Sequence, residues 1–135
     1  MDFNLIIDKL FSEYLLSLNF NKTDSAKNEV IFESDQIVIR FIYDAYAYHY
    51  YYFINLKQEN INYENFMVED YLKIKLEPKF GLNKREKKIE YIAKSQLNYF
   101  ETFKDKLLMG DREFYAGLKK YFETRNKQYN KKFGK

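Results

Sequence analysis

Hydrophobic positions along this chain run first at helical spacing, then in strict alternation, then at helical spacing again. Phe3, Ile6, Ile7, Leu10, Phe11, Tyr14, Leu15 and Leu18 recur every three to four residues, with Asp8, Lys9, Ser12, Glu13 and Ser17 opposite them. That spacing predicts an amphipathic helix over residues 3–18, with Asp2 placed to cap it and Asn19 closing it. Residues 21–28 are polar and turn-like, with room for a short edge strand. From Glu29 the period falls to two, which is the period of a strand. Residues 30–33 and 36–44 read as strands joined by a tight turn at Ser34-Asp35. In the second of these, Ile37, Ile39, Phe41 and Tyr43 share one face, with Val38, Arg40 and Ile42 on the other. Residues 50–57 give a third strand, Tyr50, Tyr52, Ile54 and Leu56 facing one way and Tyr51, Phe53, Asn55 and Lys57 the other. Residues 45–49 read equally as the turn between these strands or as extensions of both.

After a polar loop at 58–62, Tyr63, Phe66, Met67, Tyr71, Leu72 and Ile74 predict a short helix that stops before Pro78, the only proline, with Gly81 in the following loop. Asn83 is placed to cap a long helix, with Glu86 as its capping-box partner. Ile89, Ile92, Ala93, Gln96, Leu97, Phe100, Phe103, Leu107 and Leu108 carry the apolar stripe of that helix. Gly110 sits at the C′ position, and a last helix restarts at Asp111 with Phe114, Tyr115, Leu118, Tyr121, Phe122, Arg125 and Tyr129. The pattern predicts one α+β domain over 1–135. It comprises an N-terminal helix, an antiparallel three- to four-stranded meander, then a short helix and a long C-terminal helical hairpin packed on one sheet face. Residues 1–57 form helix plus sheet, 58–129 the helical part, and 130–135 a frayed tail. Leu10, Leu15, Ile39, Ile54, Leu97 and Phe100 lie centrally on their stripes and are expected to be buried.

Composition narrows the chemistry. The chain is 46% hydrophobic and 20% aromatic, too rich in core-formers for a disordered chain. It has no Cys, which removes disulfides, thiolate zinc sites and cysteine nucleophiles, and fits a reducing cytoplasm. The N-terminus lacks the basic start of a signal peptide, and no apolar run approaches a membrane span, so a cytoplasmic protein without membrane contact is expected.

Charge is divided by half. Residues 1–70 hold 5 Lys and Arg against 12 Asp and Glu, whereas 71–135 hold 18 against 8. Such a split steers encounter with a charged partner, or with a second copy that pairs acidic half to basic half. Lys119, Lys120, Arg125, Lys127, Lys131 and Lys132 make the C-terminal stretch the best case for nucleic-acid contact. Glu86, Glu90, Glu101, Asp105, Glu113 and Glu123 are interleaved at spacings that permit ion pairs along the same helices, so this reading ranks second.

Three segments carry a resemblance. The exit Leu18-Asn19-Phe20, followed by Val-Ile-Phe-Glu-Ser-Asp at 30–35 and Ile-Val-Ile-Arg-Phe-Ile-Tyr-Asp at 37–44, resembles small bacterial α+β proteins of the immunity-protein type found with polymorphic toxins. The likeness covers about residues 1–57; this chain has Asn19 where glycine is usual, and its basic helical hairpin has no counterpart there. It implies a non-enzymatic protein-binding module that neutralises a toxin by covering its surface. No cofactor, metal site or catalytic residue is expected.

The densest local signal is aromatic. Tyr43, Tyr46, Tyr48, Tyr50, Tyr51 and Tyr52 place six of the 14 tyrosines within ten residues, with the only histidine, His49, among them. Alternation sends some of these rings outward, and exposed tyrosine is a favoured interface anchor. Asp44, Tyr46, Tyr48, Tyr50, Tyr51 and Tyr52 are therefore the candidate partner-binding residues, with Glu29, Glu33 and Asp35 as acidic neighbours for a basic partner such as a nuclease.

Overall fold

The computed structural model describes residues 1–77, 81–82 and 84–132, with side chains described as far as Lys127. Helix α1 (Phe3–Ser17) starts where Asp2 Oδ1 accepts the Leu5 amide at 3.1 Å. Its end explains Asn19. That residue adopts a left-handed backbone (φ 67°), letting the amide of Asn19 reach Leu16 O at 3.1 Å and that of Phe20 reach Leu15 O at 3.0 Å. Asparagine tolerates that conformation at little cost, so it serves where glycine is the commoner choice. Phe20 then turns into the core.

Five strands follow in spatial order β1-β2-β3-β4-β5, all antiparallel. They are β1 (Asn21–Lys22), β2 (Glu29–Glu33), β3 (Ile37–Asp44), β4 (His49–Leu56) and β5 (Ile61–Glu64). Residues 45–48 are the turn, and Asp44 opposite His49 closes it. The register sets Ile39 against Ile54, Phe41 against Tyr52 and Tyr43 against Tyr50 on the buried face. Arg40 against Phe53 and Ile42 against Tyr51 occupy the other.

Helices α2 (Asn65–Tyr71), α3 (Arg85–Thr102), α4 (Lys104–Leu107) and α5 (Arg112–Lys132) join α1 over the buried face. The two long C-terminal helices take different neighbours, α3 lying beside α1 and α5 beside α2. Phe11, Phe32, Phe41, Tyr52 and Phe100 interlock in the centre with ring centroids 4.5–6.5 Å apart. Burial of each such side chain contributes roughly 1.5–3 kcal/mol, and ring geometry adds about 0.5–1.5 kcal/mol per pair.

Four local expectations are corrected. Tyr63 belongs to β5, not to the following helix, because pairing with Ile54 on β4 buries its ring against Tyr115. Phe103 (φ −110°, ψ 23°) breaks the long helix into α3 and α4. The last helix continues through Lys132, into the segment expected to fray. Leu10 and Leu97 are only half-buried, since the inward stripes are Phe3, Ile7, Phe11 and Leu15 on α1 and Ile89, Ala93, Gln96, Tyr99 and Phe100 on α3. The expected cap at Asn83 lies outside the described residues; the residue flanking the helix, Lys84, makes no side-chain cap.

Two glycines are sterically required. Gly110 has φ +66°, and a Cβ there would meet the Gln36 side chain at 2.9 Å. Gly117, inside α5, makes room for the Tyr71 hydroxyl.

Phe100→Ala is expected to lower the unfolding free energy by about 3–5 kcal/mol in urea titrations, because the ring sits among four aromatic neighbours. Leu97→Ala, at the half-buried edge of the stripe, should cost clearly less.

Candidate functional site

The β3–β4 turn is built by Asp44. Its Oδ1 accepts the amides of Tyr46 at 3.0 Å and Ala47 at 3.2 Å, the Asx geometry that lets a short polar side chain replace a backbone partner. Tyr46 then stands at the apex, 100% exposed. Tyr48, 62% exposed, has a left-handed backbone (φ 51°) unusual for a bulky residue, and the Arg85 guanidinium lies 3.6 Å above its ring. His49 stacks on Tyr51, centroids 5.3 Å apart and planes at 19°.

From this tip the uncovered sheet face runs back through Ile42, Tyr51, Phe53, Arg40, Ile31 and Val38. Every residue on it is half-buried or exposed. Arg40 lies over the Phe53 ring at 5.8 Å, and Asn55 donates to Asn62 at 2.9 Å and to Asn60 at 3.3 Å. Val38, Arg40, Phe53, Asn55, Asn60 and Asn62 line a shallow hollow there. Aromatic rings and arginine are the side chains enriched at protein interfaces, and this face carries both in Tyr51, Phe53 and Arg40.

The structure divides the six candidate partner-binding residues. Tyr46, Tyr48 and Tyr51 reach the tip and open face, with Asp44 holding the turn. Tyr50 and Tyr52 point the other way and are packed under the helices, because alternation on β4 gives that face to the core. They cannot line the surface. The acidic neighbours are dispersed: Glu33 pairs with Lys57 at 2.8 Å, Asp35 stands exposed in its own turn, and the Asp44 carboxylate is engaged with amides. On the basic side, Lys119, Lys120 and Lys127 are exposed on α5, whereas Arg125 is ion-paired with Asp70. The side chains of Lys131 and Lys132 lie outside the described residues.

Residues not singled out by sequence complete the picture. Ile31, Ile42 and Phe53 were legible as one face of alternating strands, but alternation does not say which face the helices leave bare. Arg85 meets Tyr48 from 37 positions away, a contact with no local signal.

Beneath the sheet, Tyr50 and Tyr52 anchor a buried polar chain. The Tyr50 hydroxyl donates to Gln96 Oε1, Tyr52 and Tyr99 hydroxyls lie 2.6 Å apart, and Tyr99 donates to Glu69 Oε2 at 2.8 Å. Burial pushes the Glu69 carboxyl up, opposed by the Tyr99 hydroxyl, Asn65 and Gln96, although the Gln96 amide nitrogen reaches no partner in full hydrogen-bond geometry. Burial also drives the Tyr50, Tyr52, Tyr99 and Tyr115 hydroxyls well up, and that of Tyr63 up to about 12. Each hydroxyl is occupied within the fold. Among the described residues no three His, Asp or Glu side chains converge to hold a metal, and no helix is long and apolar enough to cross a membrane.

No protein-family model, curated protein or solved structure matches this chain.

The buried tyrosines fix an alkaline limit. Their folded values lie above the unfolded value of about 10, so they favour folding fully below pH 10, and that contribution is lost as pH rises toward 12 and beyond. In a pH titration, tyrosinate absorbance from the buried rings should appear only above pH 10 and together with loss of helical circular dichroism; ionisation of these rings without unfolding would contradict this.

Proposed function

We propose that this chain is a non-enzymatic protein-binding module of the immunity-protein kind, acting in the cytoplasm by covering a surface of its target. The observation that carries the reading is the one-sided sheet, whose bare face continues into the Tyr46/Tyr48 tip. Tyr46, Tyr51 and Phe53 are the anchors, since aromatic rings bury large area at little rotamer cost. His49 on Tyr51 holds one anchor ring in place before any partner arrives, and Arg85 holds Tyr48 beside the apex, which lowers the ordering cost of association. The pairing of Glu33 with Lys57 shifts weight from acidic charge to aromatic contact.

The reading is tested by capturing the partner from the native host, identifying it, and measuring its dissociation constant against variants. Tyr46→Ala, Tyr51→Ala and Phe53→Ala should each weaken binding by about 1 kcal/mol or more, roughly fivefold, with the domain still folded. Lys119→Ala and Lys120→Ala should leave it unchanged. If the captured partner is nucleic acid, and the lysine variants rather than the tyrosine variants release it, the basic helix is the interface instead.

A further inference from the structure

Behind the tip, on the covered side of β4, lies a cleft of about 290 Å³ between the β3–β4 turn, residue Leu76 and the first turns of α3. Tyr50, Ile89 and Ile92 make its apolar floor, and Tyr48, His49, Arg85 and Lys88 its rim. Asn65 adds a polar wall, and among the described residues no carboxylate lines it, although the chain has 20. The contrast with the neighbouring groove between α1 and α3 is direct: there Lys9 and Lys94 are accompanied by Asp2, Glu86 and Glu90. Arg85 and Lys88 have no ion-pair partner among the described residues, whereas Lys87 on the same turn is tied to Glu90 at 3.7 Å.

Three further features converge on negative charge. Arg85 is held by stacking 3.6 Å from the Tyr48 ring, a contact that fixes the guanidinium through its face and leaves its N–H fork free for a planar or tetrahedral oxyanion. Helix α3 starts at the cleft without a side-chain cap; the one carboxylate of its first turn, Glu86, lines the α1 groove rather than this cleft. Tyr43, 6% exposed, forms part of the wall, and its buried hydroxyl has no hydrogen-bond partner among the described residues. A buried donor without an acceptor is uncommon in folded proteins.

We infer that this cleft is a binding site for a small organic anion, a phosphate or carboxylate joined to a flat apolar body. Arg85 and Lys88 take the anionic group, and the floor of Ile89, Ile92 and Tyr50 takes the body. The volume suits one ring-sized group with its charged substituent and lies at the lower end of ligand pockets. The cleft shares Tyr48, His49 and Arg85 with the tip, but the anchors Tyr46, Tyr51 and Phe53 do not line it.

His49, the only histidine, lines the cleft and reports on it without labelling. The intact chain is titrated with phenyl phosphate, inorganic phosphate and phenol at fixed pH and ionic strength, following the His49 ring protons by NMR. Phenyl phosphate should move them saturably, with inorganic phosphate and phenol each at least tenfold weaker. Arg85→Gln and Lys88→Gln, both at exposed positions, should reduce phenyl phosphate affinity at least tenfold and at least threefold, and Lys87→Gln should not change it. Circular dichroism confirms that each variant is folded. Absence of saturation in the wild type, equal affinity for inorganic phosphate or phenol, or unchanged affinity in both cleft variants would overturn the site. Loss of partner binding in the tyrosine variants is measured separately, so either reading can fail alone.

Discussion

Burying a tyrosine hydroxyl without a partner is costly, and the packing of α3 follows the pairing of two such hydroxyls on β4. The sheet commits Tyr50 and Tyr52 to the covered face, where each brings a polar atom into an otherwise apolar layer. Leaving such groups unpaired costs about 1–3 kcal/mol apiece, comparable to a sizeable share of a small domain's net stability. Gln96 and Tyr99 answer them, and Glu69 from α2 closes the chain. Three elements are thereby fixed at one rotation: β4 by its register, α3 by the need to present Gln96 inward, and α2 by its carboxyl. Gln96, with 0% exposure, is the polar residue buried in the heart of the core.

Packing every helix on one face divides the molecule into a dry side and a bare side. The charge asymmetry of the chain maps onto this division only loosely. Asp8–Lys22 and Glu33–Lys57 are ion pairs within the acidic half, Lys87–Glu90 lies within the basic half, and Arg125–Asp70 crosses between them. These pairs are exposed and each contributes little to stability. The surplus on either half remains on the outside, where it shapes the field that a partner meets.

What was legible in the sequence follows the strength of each periodic signal. Helix α1, the β2–β3–β4 meander and the stop at Gly110 were readable because many residues repeat one period or one turn residue fixes a boundary. Strand β5 was not: within Ile61–Glu64 only Ile61 and Tyr63 face the core, and Tyr63 also fits the helical spacing of Phe66 and Met67. The rotation of α3 was half-legible. Its stripe includes Gln96 and Leu97 side by side, and hydrophobicity favours Leu97; the hydroxyls of β4, some 45 residues away, decide for Gln96. For the candidate site, alternation foretold that some of the clustered tyrosines would point outward. The choice of Tyr51 over Tyr50 and Tyr52 depended on which face the helices cover, a tertiary fact.

The strand order has a consequence in time. Because β1 to β5 are neighbours in sequence order, every strand pairs with the one synthesised just before it, and each closure spans a short loop. Such local pairing keeps contact order low and favours fast assembly of the meander. The aromatic face of that meander is roofed on one side by α1, which emerges first, and on the other by α3 to α5, which emerge last. The strands thus precede their second roof in the chain, and Tyr52 and Tyr63 take their cover from residues that lie more than forty positions after them.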